Sequence, residues 1–211
     1  MIKKMAVSII VMTMFTTVLL LLVFQFVSPS TFGEGNEQDD DIITHSFHNE
    51  DYYYYLTDEQ VNEAIEQGKE SLTTLEGYQL PKLDSTIESQ DIAFVYINTP
   101  YLKTKLLARD TYDQYGRTMR PQEVKLELMD KFLSFSSRFQ GNKGYIYEIE
   151  MVQDGEMIDP VEVTVSGNGT LKTVYFEVDE ISFTKNAQLM ISDRLDDSKY
   201  ESYEIDFTQY K

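Results

Sequence analysis

The chain has 211 residues, with 18 Lys+Arg against 36 Asp+Glu and no cysteine. That length leaves room for one domain of ordinary size beside an N-terminal segment, and the missing cysteine excludes disulfides, thiolate metal sites and cysteine nucleophiles. A net charge of −18 argues against nucleic acid and anionic membrane surfaces as partners, because both would repel it.

Residues 5–27, opening on Met5 and closing on Val27, form an apolar run without a single charge, preceded by Lys3 and Lys4. At about 1.5 Å of rise per residue the run makes a helix of roughly 34 Å, enough to cross a bilayer with some tilt. Its length predicts an uncleaved signal anchor. The alternative is a secretory signal peptide cut near Ser28-Pro29-Ser30. The two lysines place the N-terminus in the cytoplasm and the remainder outside. With Lys3 and Lys4 set aside, the exported part carries a charge near −20.

Three regions follow: an anchor over 1–27, a flexible acidic linker over 28–52 and an extracytoplasmic domain over 53–211. The linker holds Gly33, Gly35 and the run Glu37 to Asp41, with no apolar period. Asp39, Asp40 and Asp41 lack the glycine and terminal glutamate of a calcium loop. His45 and His48, the only two histidines, are weak metal candidates, since no helix and no His-Glu-x-x-His frame supports them. Tyr52 to Tyr55 reads as a segment whose alternate rings pack on the domain while the others face water.

Thr57 and Gln60 make a capping box for a helix with Asp58 and Glu59 in its first turn. Val61, Ala64, Ile65, Leu72 and Leu75 share its apolar stripe, and Gly77 ends it. Residues 91–99, DIAFVYINT, predict a strand buried on both faces. Thr99-Pro100 then opens a second helix, with Tyr101, Ala108, Tyr112 and Tyr115 on one face and Gly116 as its stop. Lys103, Lys105 and Arg109 make it the most basic patch of an acidic chain and a possible anion patch, although no glycine-rich phosphate loop adjoins it. Pro121 to Met129 predicts a third, short helix.

From Lys131 the apolar period becomes two. One strand begins at Phe132, and the next alternates Tyr145, Tyr147, Ile149 and Met151 with Ile146, Glu148 and Glu150. Asp154-Gly155 is a hairpin signal joining it to a strand through Val161, Val163 and Val165. Gly167-Asn168-Gly169 turns into Val174, Phe176 and Val178. Asn168 also heads a glycosylation triplet, for which turn chemistry is the simpler account. Two further strands fit residues 187–191 and 203–207. The fold class expected is α+β: an N-terminal transmembrane helix, then two or three helices on an antiparallel, immunoglobulin-like β-sandwich.

The segments LTDEQVNEAIEQGK, INTPYLKTKLLARD and MVQDGEMIDPVEV, in that order, resemble those of a group of uncharacterised bacterial exported or membrane-anchored proteins. The resemblance runs from Leu56 to the end. Its best-marked piece is Thr99-Pro100-Tyr101-Leu102 with Ala108 and Arg109. It implies leading helices and a β-sandwich, and it supplies no activity or catalytic residue.

No serine elbow and no distinguished carboxylate pair point to catalysis, and no cofactor is implied. The expected function is a membrane-anchored extracytoplasmic interaction or accessory domain, with a protein partner in the cell envelope and no nucleic acid. The alternative is an exported small-ligand or cation-binding module.

Overall fold

The computed structural model describes residues 52–70, 75–87, 90–128 and 131–210. The anchor run from Met5 to Val27, nearly all of the linker, and His45 and His48 lie outside the described residues. Among those residues the protein is α+β, with three helices and two antiparallel sheets.

Helix α1 spans Asp58–Glu70. The capping box forms as the sequence predicts: Thr57 N–H donates to Gln60 Oε1 at 2.9 Å and Gln60 N–H to Thr57 Oγ1 at 3.2 Å. Val61, Ala64 and Ile65 are buried. Leu72 lies outside the described residues. The helix stops short of Gly77, and Leu75 instead precedes a 3₁₀ turn over Glu76–Tyr78, so it is no part of the stripe.

Helix α2 spans Pro100–Tyr115. Thr99 Oγ1 accepts from Leu102 N–H, and Gly116 closes the helix in the left-handed region at φ 64°. Its buried residues are Pro100, Leu102, Thr104 and Ala108. The expected tyrosine face fails at its far end, where Tyr112 and Tyr115 are 44% and 69% exposed. Arg109 bonds to the Lys69 carbonyl, so α1 ends beside Arg109 and the last turn of α2 runs past it. Helix α3, Pro121–Glu127, is tied back by Lys125 to Asp58 at 2.6 Å. Val61, Ile65, Ala108, Met119, Val124 and Leu128 make a small helical core.

The strands are β1 Lys82–Ser85, β2 Ile92–Asn98, β3 Phe132–Phe139, β4 Tyr147–Gln153, β5 Glu156–Ile158, β6 Glu162–Ser166, β7 Leu171–Glu177, β8 Ala187–Asp193 and β9 Asp196–Ile205. One sheet has the order β1-β9-β8-β4-β5 and the other β2-β3-β7-β6. Ile97, Phe135, Val174 and Phe176 of the second sheet share one core with Ile149, Met151, Leu189, Ile191 and Ile205 of the first, as in a β-sandwich. Phe135 meets Phe176 edge to face at 5.9 Å, and Phe139 stacks on Tyr147 at 5.6 Å.

Burial on both faces holds only for the second half of β2, since Ala93 is exposed and Phe94 half-buried. Tyr145 is not in β4. It closes a 3₁₀ turn over Lys143–Tyr145 and is 53% exposed. The Asp154-Gly155 turn has positive φ at both residues and pairs β4 with the three-residue β5. Asp159-Pro160 then carries the chain to the other sheet, where β6 pairs with β7. The hairpin therefore does not reach the valine strand directly, because proline cannot donate to a ladder.

Candidate functional site

A cavity of about 610 Å³ lies where the four-tyrosine segment meets the first turns of α1 and α2. Tyr52 to Tyr55 forms a turn, with Tyr55 N–H donating to Tyr52 O at 2.9 Å, so the period of two expected for its rings does not apply. Tyr54 is buried and its hydroxyl donates to Phe207 O at 3.2 Å, while Tyr52, Tyr53 and Tyr55 are half-buried. Phe183 supports the segment from behind, stacking on Tyr53 at 5.0 Å and meeting Tyr52 edge-on at 6.1 Å. Tyr210, from the C-terminal 3₁₀ turn Phe207–Tyr210, closes another side, its hydroxyl donating to Gln79 O at 3.2 Å.

Glu63 of α1 and Tyr101 of α2 complete the wall, and the Glu63 carboxylate accepts from Gln67 Nε2 at 2.8 Å. Burial first, and the Glu63 carboxylate second, push the Tyr101 hydroxyl up to about 12. Tyr101 therefore stays neutral as a donor throughout the physiological range. The N-terminus of α2 offers few amides to an anion. Pro100 has no N–H, Leu102 N–H is held by Thr99 Oγ1 at 3.3 Å, and Lys103 N–H donates to Thr99 O at 2.9 Å. The cavity is thus an aromatic chamber with one carboxylate among its described lining residues.

The three cations singled out on α2 do not share one face. At about 100° per residue, Lys103 stands roughly 160° from Lys105, whereas Lys105 and Arg109 are about 40° apart. Arg109 pairs with Asp113 at 2.8 Å and donates to Lys69 O at 3.0 Å. Lys105 Nζ lies 5.8 Å from the centre of the Tyr101 ring. Burial lowers the Lys105 pKa, and Glu63 opposes that shift. Lys105 and Arg109 thus lie along the α1–α2 seam, one against the tyrosine cavity and the other in an ion pair.

A second polar feature lies inside the sandwich. Lys172 on β7 points inward, is buried, and donates to the Tyr147 carbonyl. Ser137, opposite it in register, is fully buried with no partner for its hydroxyl among the described residues. A cleft beside Lys172 is bordered by Glu148, Glu150, Asp159 and Arg194, the last paired with Glu148 at 3.0 Å. This mixture of signs selects neither anion nor cation. Among the described residues no group of three or more His, Asp and Glu is placed to hold a metal.

The third feature is the open side of the sandwich where β5 and β6 end their sheets. Met157 is 62% exposed, Val161 50% and Val163 46%. Val163 lies opposite the fully buried Val174, but past the edge of the facing sheet it loses its cover. Alternation assigns these valines to the core; position at the edge leaves them in water. Asn168, at φ 56°, occupies the turn between β6 and β7 and is exposed.

The tyrosine run, Tyr101 and Lys105 stand out in the sequence, but their meeting with Glu63 and Tyr210 has no local signal. Comparison of the chain with protein-family models, with curated proteins and with solved structures gave no match.

Proposed function

We propose that the protein is an interaction domain held outside the cell by the anchor run from Met5 to Val27, which binds an extended segment of an envelope protein along strand β6. The observation that carries this reading is the apolar exposure of that edge, with Val163 at 46% on a strand paired, among the described residues, only with β7. Exposed edges are normally guarded by charge, proline or a covering loop, because they template further strand pairing. Strand β6 has one charge, Glu162, in Glu-Val-Thr-Val-Ser. Addition of a partner strand would satisfy its free backbone groups and cover the valines. Glu162 within it and the preceding acids Glu156 and Asp159 suit a segment bearing Lys or Arg.

We further read the sandwich as immunoglobulin-like. The order β2-β3-β7-β6 facing β9-β8-β4-β5 corresponds to A-B-E-D facing G-F-C-C′, with β1 added beside β9 and the helices α2 and α3 inserted between the first two strands. The uncharged run behind Lys3 and Lys4 supports an anchored rather than a secreted form, and the resemblance to exported bacterial proteins supports the same placement.

The test is co-purification of the full-length protein from cross-linked envelope membranes, compared with Val163→Asp. A partner retained by the wild type and lost by the variant, with both giving the same far-UV circular dichroism, is the expected result. Equal recovery by both would place the interaction elsewhere.

A further inference from the structure

We propose that the tyrosine-lined cavity between the 52–55 segment and the first turns of α1 and α2 binds an organic cation of the alkylammonium class. This inference uses a surface separate from the β6 edge and stands or falls without it. Its volume of about 610 Å³ lies within the roughly 300–1,000 Å³ typical of small-molecule sites. Six tyrosines border it, and Glu63 is the one charged side chain among its described lining residues. Aromatic faces present the negative part of the ring quadrupole, and a methylated ammonium sheds its weakly held water against them at small cost. Glu63 supplies the balancing charge at the wall.

Three observations favour a cation over the competing occupants. The α2 N-terminus, which would otherwise favour an anion, has no N–H at Pro100 and has the Leu102 and Lys103 amides bonded to Thr99, so Tyr101 N–H is the one first-turn amide without such a bond. One ring of this wall already takes an ammonium: Lys105 Nζ is 5.8 Å from the Tyr101 ring centre and near enough to Glu63 to feel its charge, so the same pair of groups accepts a cation within the chain itself. The chain as a whole is strongly acidic, which raises the local concentration of any cationic ligand. The walls are also braced before a ligand arrives, since Phe183 backs Tyr52 and Tyr53 while Tyr54 and Tyr210 are hydrogen-bonded to backbone. A braced site spends little ordering entropy on binding.

Choline and its uncharged carbon isostere, 3,3-dimethyl-1-butanol, separate charge from shape. Titrated into the full-length protein in detergent at low salt, choline should perturb tyrosine ring resonances saturably. The neutral isostere should bind at least about tenfold more weakly, the size of effect expected from a cation–π contact reinforced by a carboxylate. Glu63→Gln, at an exposed position that leaves the fold intact, should weaken choline about fivefold or more without changing the response to the isostere. Added sodium chloride should weaken choline binding in the wild type. Equal binding of the two compounds would overturn the proposal and identify an apolar or sugar-stacking site. Absence of any choline response up to about 100 mM, well past the millimolar affinity of a minimal cation site, would overturn it outright. So would undiminished affinity in Glu63→Gln.

Discussion

A Cβ built on Gly68 of α1 would stand 2.4 Å from the carbonyl oxygen of Lys105 on α2 and 3.1 Å from the Ala108 side chain. The two helices therefore touch through backbone, with glycine and alanine as the contact residues. This contact sets the spacing of the helices and, one turn earlier, the separation of Glu63 from Tyr101.

Gly68→Ala is expected to destabilise the protein despite alanine's better helix propensity. Propensity favours alanine by about 1 kcal/mol, whereas pushing a packed backbone aside costs about 1–3 kcal/mol. Urea unfolding followed by circular dichroism should show a lowered midpoint. Gly77→Ala, whose Cβ meets nothing within 4 Å, should be close to neutral. A stabilised Gly68→Ala would mean the helices are free to separate.

Thr99→Ala should cost about 1–2 kcal/mol. Thr99 is 1% exposed, and its hydroxyl caps α2 through Leu102 N–H, so the orphaned amide would lie away from water. Thr57→Ala removes the cap of α1 at an exposed position, where water replaces the lost acceptor, and should cost less. Matched urea titrations of the two variants check the order.

Lys172 has its pKa lowered chiefly by burial and secondly by Arg194, with Glu148 acting in opposition. A lowered value means the folded state holds this proton less firmly than the unfolded state. Its destabilising effect is therefore complete below the folded pKa and fades as pH rises toward the unfolded value of about 10.4. Lys172→Met lacks that titration. Unfolding free energies measured from neutral pH to pH ~10 should show the wild type gaining on the variant as pH rises; a constant difference would refute the assignment.

Glu150 behaves in the opposite sense. Burial first, then Asp159, Glu148 and Asp197, raise its carboxyl pKa. A raised carboxylate favours the folded state while protonated, and this advantage is lost as pH rises through the folded value. Glu150→Gln should therefore be more stable than wild type at neutral pH, with the gap closing below the unfolded value of about 4.3. Thermal melts across that interval measure it, and a gap widening in acid would contradict the sign.

What the sequence determined by itself lies within a few residues of chain. Thr57 with Gln60, Thr99 with Pro100, and Gly116 bound their helix ends because capping is completed over three or four positions. The alternation of Tyr147, Ile149 and Met151 marks a strand with one buried face, and Asp154-Gly155 marks a tight turn, for the same local reason. Only the tertiary structure decided which strands meet. The step at Asp159-Pro160 sends β6 to the opposite sheet, and Val163 keeps a core-facing orientation while the facing sheet ends before covering it. Gly68, Lys172 and the chamber formed by Tyr54, Glu63, Tyr101 and Tyr210 belong to the same class. Each depends on contacts between residues far apart in the chain, and local propensity carries no term for such contacts.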